Sequence, residues 1–112
     1  MAMDKTIITI EDFNKLDLRV GKVVEAQPIP GRTKILRLKV DIGGEVRQMI
    51  AGGAEYYPPS YFVGKHFVVL ANLTPRTIAG VESQGMLLAA VIGEKPYWLT
   101  VDEMVPPGTK IR

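Results

Sequence analysis

The chain has 112 residues, a net charge of +2 and no cysteine; a length of this order closes one hydrophobic core without covalent staples. Without thiols there is neither a disulfide framework nor a thiolate metal site, and a single histidine, His66, excludes a histidine cluster. No run approaches the roughly 18 apolar residues of a membrane span, and the opening MAMDKTIITIEDF carries no signal-peptide pattern. A soluble, cytoplasmic chain without membrane segment, cofactor or metal is expected. The charge is unevenly spread: Lys15 to Arg76 hold ten Lys/Arg against five Asp/Glu, while both flanks are slightly acidic. A basic middle suits an anionic partner and equally an ordinary solvated sheet.

In chain order, IEDFNKLDL predicts a short helix with Phe13 and Leu16 inward. LRVGKVVEA (Leu18 to Ala26) reads as a strand with Gly21 near a bend or bulge. ILRLKVDI (Ile35 to Ile42) alternates strictly, with Leu36, Leu38, Val40 and Ile42 on one face and Arg37, Lys39 and Asp41 on the other. Gly43-Gly44 then supplies a tight hairpin turn, and VRQMIA returns as its partner. In AEYYPPSYFVGK, two separate turns are expected, because Pro58-Pro59 forbids one long helix. HFVVLANL (His66 to Leu73) and GMLLAAVI (Gly85 to Ile92) are short apolar runs, the fourth and fifth strands. PYWLTV and VPPGTKIR are two further extended pieces, with Pro106-Pro107-Gly108 forcing a turn.

Five strands with a small helical insertion between the third and fourth predict an all-β, five-stranded OB-fold Greek-key barrel. One domain spans 1–112, with a core at about 13–93 and a C-terminal extension at about 94–112. OB barrels bind nucleic acids across strands two and three, helped by the loops after strands one and four. The loop after strand one, QPIPGRTK, brings Arg32 and Lys34 toward the face that carries Arg37, Lys39 and Arg47. The loop after strand four is long and polar, where a hairpin needs only about two to five residues.

That polar stretch, NLTPRTIAGVESQGMLLAA, together with DLRVGKVVEA, TKILRLKVDIGG, RQMIAGGAEYY and GKHFVVLANL, resembles the tRNA-binding domain family. The family includes the C-terminal domain of many methionyl-tRNA synthetases, stand-alone tRNA-binding proteins and the EMAP II cytokine precursor domain. The resemblance runs from about Phe13 to Arg112. Its most specific element is N-L-x-P-[KR]-x-x-x-G-x-x-S-x-G-M, matched at every fixed position by Asn72, Leu73, Pro75, Arg76, Gly80, Ser83, Gly85 and Met86. With no catalytic domain in these residues, the chain is most similar to the separate beta subunit of methionyl-tRNA synthetase found in archaea. The first loop departs from the D-A-D-K of many relatives, having Gly31-Arg32-Thr33-Lys34 instead. That change adds positive charge and leaves Lys34 in register.

The resemblance implies a homodimer that binds the folded shape of tRNA, with Lys34, Asn72, Arg76, Ser83 and Met86 on the contact surface. The residue types suggest roles of their own. Arg32, Lys34, Arg37 and Arg76 suit phosphates, Asn72 and Ser83 a 2′-hydroxyl or base edge, and Met86 an unstacked base. Each has a structural alternative: Asn72 as a tie between strand end and loop, Ser83 as a buried hydroxyl bonded to backbone, Met86 as core filler, and Arg37 with Lys39 as a solvated face. Aromatic side chains cluster in the helical insertion rather than along the strands, which favours shape recognition over single-strand stacking. His66 is expected to be structural or exposed, and Trp98 to pack in the C-terminal extension.

No catalytic constellation is present. Asp41 and Glu45 flank the glycine turn as hairpin residues, and neither glycine pair forms a phosphate-binding loop with its lysine and helix. The resemblance implies a non-catalytic subunit that acts in trans to raise the tRNA affinity of the methionyl-tRNA synthetase catalytic subunit. The alternative is a peptide-binding chaperone of the same fold, resembling CsaA, against which Ser83-Gln84-Gly85-Met86 weighs; a third is a module that holds synthetases together. Apolar residues in ITIEDF, PYWLTV and MVPPGTKI exceed what the barrel needs and suit a dimer contact.

Overall fold

The structure is a computed structural model that describes residues 6–112; the first five residues, which begin the MAMDKTIITIEDF opening, lie outside the described residues. Helix α1 (Ile10–Phe13) is one turn, begun by a reciprocal box in which the Asp12 amide donates to the Thr9 hydroxyl at 3.1 Å and the Asp12 carboxylate accepts from the Thr9 amide. The box satisfies amides that a helix start leaves free. Phe13 is half-buried, but Leu16 is 39% exposed rather than inward, since the helix has ended before it.

Strands β1 (Leu18–Pro28), β2 (Ile35–Asp41) and β3 (Val46–Gly52) form an antiparallel meander. The β2 alternation holds as expected: Leu36, Leu38, Val40 and Ile42 are buried, and Arg37, Lys39 and Asp41 are only half-covered. The β1 irregularity falls at Val24, not at Gly21. Gly21 serves another purpose: a Cβ there would lie 2.7 Å from a Val40 methyl and 2.9 Å from a Val69 methyl. It lets β1 cross the tightest part of the core.

Helix α2 (Pro59–Phe62) has proline in its first turn, where the missing N–H costs nothing. It drives Phe62, fully buried, against Phe67 and Trp98 at ring-centroid distances of 5.8 and 5.7 Å. Next come β4 (His66–Leu70), β5 (Arg76–Ile78), β6 (Val81–Ser83), β7 (Met86–Leu87), β8 (Ala89–Ile92), β9 (Lys95–Trp98) and β10 (Thr100–Val101). The main sheet runs β10-β4-β1-β2-β3, with β7 also beside β4. It curls into a nearly closed, all-β barrel of the OB type around Leu38, Val40, Ile42, Met49, Phe62, Phe67 and Val69. Each such side chain contributes about 1.5–3 kcal/mol on burial.

Two features depart from the expected layout. The fifth apolar run divides at Leu88: β7 belongs to the barrel, while β8 turns away to pair with β9. The long polar loop is itself a hairpin, β5 with β6, turning at Ala79-Gly80 with positive φ at both residues. The C-terminal segment is also woven into the barrel. Strand β10 pairs with β4, His66 Nδ1 bonds the Val105 carbonyl at 2.9 Å, and Lys110 bridges Arg19 beside β1. Trp98 thus packs on the core, and its indole N–H is the buried side-chain polar atom left without a partner among the described residues.

Two outcomes are expected. Gly85 has φ +137°, and a Cβ there would stand 2.7 Å from Met49 Cε and 3.0 Å from the Leu70 carbonyl. Gly85→Ala should therefore cost about 2 kcal/mol or more in urea unfolding, through strain and overpacking. The second concerns Asp17, whose carboxyl is held below its ordinary pKa chiefly by the Arg19 guanidinium hydrogen bonded to it, against a smaller opposing effect of burial. A depressed acid pKa gives stability above the ordinary carboxylate range that is lost as pH falls through the folded-state value. Asp17→Asn should be less stable than the parent by about 1 kcal/mol at neutral pH, with the gap closing below about pH 4.

Candidate nucleic-acid interface

The outer face of the meander is organised in rows by strand register. One row runs Gln27, Arg37, Ile50 across β1, β2 and β3; its neighbour runs Glu25, Lys39, Gln48. At the far edge the first row continues into the β5–β6 hairpin. The Ile50 amide donates to Ser83 Oγ at 3.0 Å, and Ser83 is the cross-strand partner of Arg76. Arg37, the β2 partner of Ile50, and Arg76, the β5 partner of Ser83, thus lie on opposite sides of Ile50, linked through the Ile50–Ser83 hydrogen bond. Arg37 also donates to the Gln27 side-chain oxygen, which holds the guanidinium along the sheet.

The hairpin is fastened to β3 by a polar seam. Gln84 N–H donates to the Gln48 carbonyl at 2.8 Å, and Gln48 Nε2 donates to the Glu82 carbonyl at 2.9 Å. The Ser83 hydroxyl, 4% exposed, donates on to the Gly85 carbonyl at 3.2 Å. Both of its hydrogen-bonding roles are thus used inside the protein. Of the two roles expected for Ser83, its geometry is that of the buried hydroxyl bonded to backbone, and it fastens the strand that pairs with Arg76.

Asn72 is exposed, but its amide is occupied. Oδ1 accepts from the Asp17 amide at 2.9 Å and Nδ2 donates to the Lys15 carbonyl at 2.7 Å. It ties the end of β4 to the entry of β1, which sets where the hairpin begins. Arg47 also leaves the basic face. It stands opposite Val40 in the register, pairs with Glu45 at 3.1 Å and donates to the Ala71 carbonyl.

Arg32 and Lys34 are exposed in the β1–β2 loop, around a hollow of about 230 Å³. Met86 is half-buried and shares with Arg76 a larger groove of about 590 Å³, bounded by β3, the β7–β8 segment and Trp98. The Lys34 carbonyl accepts from the Ala54 amide at 3.2 Å, so the first loop adjoins the Gly52–Gly53 end of that groove. Arg32, Lys34, Arg37 and Arg76 thus frame one surface, to which Met86 adds an apolar wall.

Among the described residues, none of these four basic side chains is in an ion pair, although Glu94 borders the groove that Arg76 shares. Ion pairs among the described residues are Lys15–Asp12, Arg19–Asp17, Arg47–Glu45 and Lys110–Asp17. Glu45, like Asp17, is held below its ordinary pKa, in its case by the Arg47 hydrogen bond. These pairs lie away from the framed surface. Gln48 and Gln84, which hold the hairpin, were missed from the sequence: Gln84 sits inside the motif, but Gln48 lies outside it, 36 residues from Gln84, and carries no local signal.

A barrel with basic side chains on its second strand, on the loop after its first strand and on a clamped polar hairpin beside its third has the arrangement of an oligonucleotide-binding module. Comparison with known proteins narrows that class. Residues 18–110 match the family described as "Putative tRNA binding domain", and the chain belongs to this family. It is 50% identical over 111 residues to a methionine–tRNA ligase of Thermotoga maritima, covering 99% of this chain and 18% of that ligase. The chain therefore spans less than a fifth of such relatives' length. Among solved structures it is similar to a MetRS-related protein of Pyrococcus horikoshii, with TM-score 0.91, 37% identity, 96% of this chain and 100% of that one covered. It is also similar to the chaperone CsaA of Bacillus anthracis, with TM-score 0.85, 31% identity and coverages of 96% and 100%.

Truncating the two kinds of residue should separate clamp from contact. Ser83→Ala is expected to lower stability by about 1–3 kcal/mol, because the Ile50 amide loses its acceptor. Arg76→Ala should remain within about 0.5 kcal/mol of the parent. Chemical denaturation of both variants measures the difference.

Proposed function

We propose that this domain binds folded tRNA through the surface framed by Arg32, Lys34, Arg37 and Arg76, and that it is a non-catalytic capture module for methionyl-tRNA synthetase. The observation that carries the reading is the basic row, in no ion pair among the described residues, that the hairpin continues past the edge of β3, in a chain of the tRNA-binding domain family. Phosphate contacts of this kind supply affinity and position without reading sequence. That suits a protein that recognises the shape of a structured RNA. Ser83 and Asn72 support the surface by holding its hairpin, and Met86 faces the adjoining groove.

The module acts in trans on the ligase's catalytic subunit, where a second attachment point raises the local tRNA concentration at the active site. A homodimer is part of the same reading. Ile92 (70% exposed) and Tyr97 (44%) stand on the outward face of the β8–β9 hairpin, and Ile7, Ile8 and Ile10 are also bare. Burial of these side chains across a twofold axis removes an apolar surface that a lone protomer leaves in water.

The test is kinetic. Added to a methionyl-tRNA synthetase catalytic subunit that lacks such a domain, the protein should lower the apparent KM for tRNA about tenfold and leave kcat nearly unchanged. An unchanged KM sinks the capture role. A CsaA-like peptide-binding role is the second reading, favoured by the 31% identity to that chaperone. It would take over if the domain held an unfolded polypeptide at high salt and ignored tRNA.

A further inference from the structure

The seam covers the outer edge of β3 only as far as the Ile50 amide. Ile42 N–H bonds the Glu45 carbonyl at 2.9 Å, and hydrogen-bonded pairs alternate from there along the β2–β3 ladder. Residues 46, 48, 50 and 52 consequently turn their main-chain groups away from β2. Gln84 and Ser83 take those of Gln48 and the amide of Ile50. The next groups on that edge are the Ile50 carbonyl, then the Gly52 N–H and carbonyl. They have no hydrogen-bond partner among the described residues. They line the groove of about 590 Å³, whose walls include Met86 and Trp98, with Arg76 and Glu94 also on its border.

This edge presents acceptor, donor, acceptor in sequence, in an apolar groove that Arg76 shares. Resting on the tRNA reading above, we infer that the groove takes one unstacked adenine of the bound RNA, read by the Ile50 carbonyl and the Gly52 N–H. Adenine offers the matching edge: its N6 amine donates, N1 accepts, and C2–H meets the Gly52 carbonyl as a weak donor. Uracil presents acceptor, donor, acceptor and meets the edge like against like. Cytosine matches at two positions, but its O2 faces the Gly52 carbonyl. Guanine's N1–H opposes the Gly52 N–H when its O6 stands beside a carbonyl. The flanking phosphate lies on the Arg76 side, since Glu94 repels it from the other. Apolar contact with Met86 and Trp98 supplies the rest, as in unstacked-base recognition generally.

Main-chain readers can be tested at Gly52. A Cβ there meets nothing within 4 Å, and φ is not in the left-handed region. Gly52→Ala therefore keeps the N–H and serves as the folding control. Gly52→Pro removes an N–H that the ladder does not use and puts a ring carbon in its place, which an edge strand tolerates; its unfolding midpoint checks the fold. The probes are the four nucleoside 5′-monophosphates at millimolar concentration, followed through the Gly52 and Gly53 amide resonances, and a folded tRNA transcript. Adenosine monophosphate should shift both amides and the other three should not, and Gly52→Pro should weaken the tRNA about tenfold against Gly52→Ala. If the tRNA binds the parent and Gly52→Pro alike, or uridine monophosphate shifts the amides equally, the adenine site is overturned while the basic-face reading stands. If the tRNA does not bind at all, both readings fall.

Discussion

The structure depends on how one bare strand edge is covered. β3 lies at the end of the sheet order, and an uncovered edge of that kind is an invitation to pair with another chain. Here the cover is a polar seam, with Ser83 and Gln84 laid along Gln48 and Ile50. Gly85 then lets the chain pass between Met49 and the Leu70 carbonyl, where no side chain fits, to join β4 as β7. One stretch thus closes the barrel, carries the hairpin and sets Arg76 beyond the edge of β3. A longer or looser connection would close the barrel as well, but would not fix the arginine.

The second constraint is the allocation of acids. Asp17 and Glu45 are engaged by Arg19 and Arg47, and both carboxyls are held ionised by those partners. Arg19 also donates to the Ile42 carbonyl, and Arg47 to the Ala71 carbonyl, so both arginines serve the frame of the barrel. Arg32, Lys34, Arg37 and Arg76 of the framed surface are in no ion pair among the described residues. A modest net charge of +2 therefore conceals a face on which the positive charge is available to a partner. Exposed charge of this kind acts over about one Debye length, near 10 Å at 0.1 M salt. Phosphates at close range are its natural counterpart.

How much of this was legible in the sequence depended on the length of the signal. ILRLKVDI shows seven residues of β2 with their faces assigned, because alternation over that length has one reading. Gly43-Gly44 likewise announced its turn, and both residues have positive φ. The β5–β6 hairpin was opaque, since strands of three residues carry no period, and its turn uses Ala79 at φ +53°, a residue no turn rule selects. The break at Leu88 was hidden inside an unbroken apolar run. At the site, the basic residues were legible by charge and strand phase. For Asn72 and Ser83 the sequence left two roles open, because whether a small polar side chain meets a ligand or a backbone group is decided by residues 33 to 57 positions away. Gln48 and the open edge at Gly52 could be found only once β3 had a neighbour.

The most direct test of the central claim is the salt dependence of tRNA affinity, compared between the parent protein and the double variant Arg37→Ala/Arg76→Ala. If the row meets phosphates, the plot of log affinity against log salt should flatten by about 1.5 to 2 units for the two lost cations. Affinity at low salt should fall with it. A double variant with the parent's slope and affinity would mean that the row faces solvent in the complex, and that tRNA is held by some other surface.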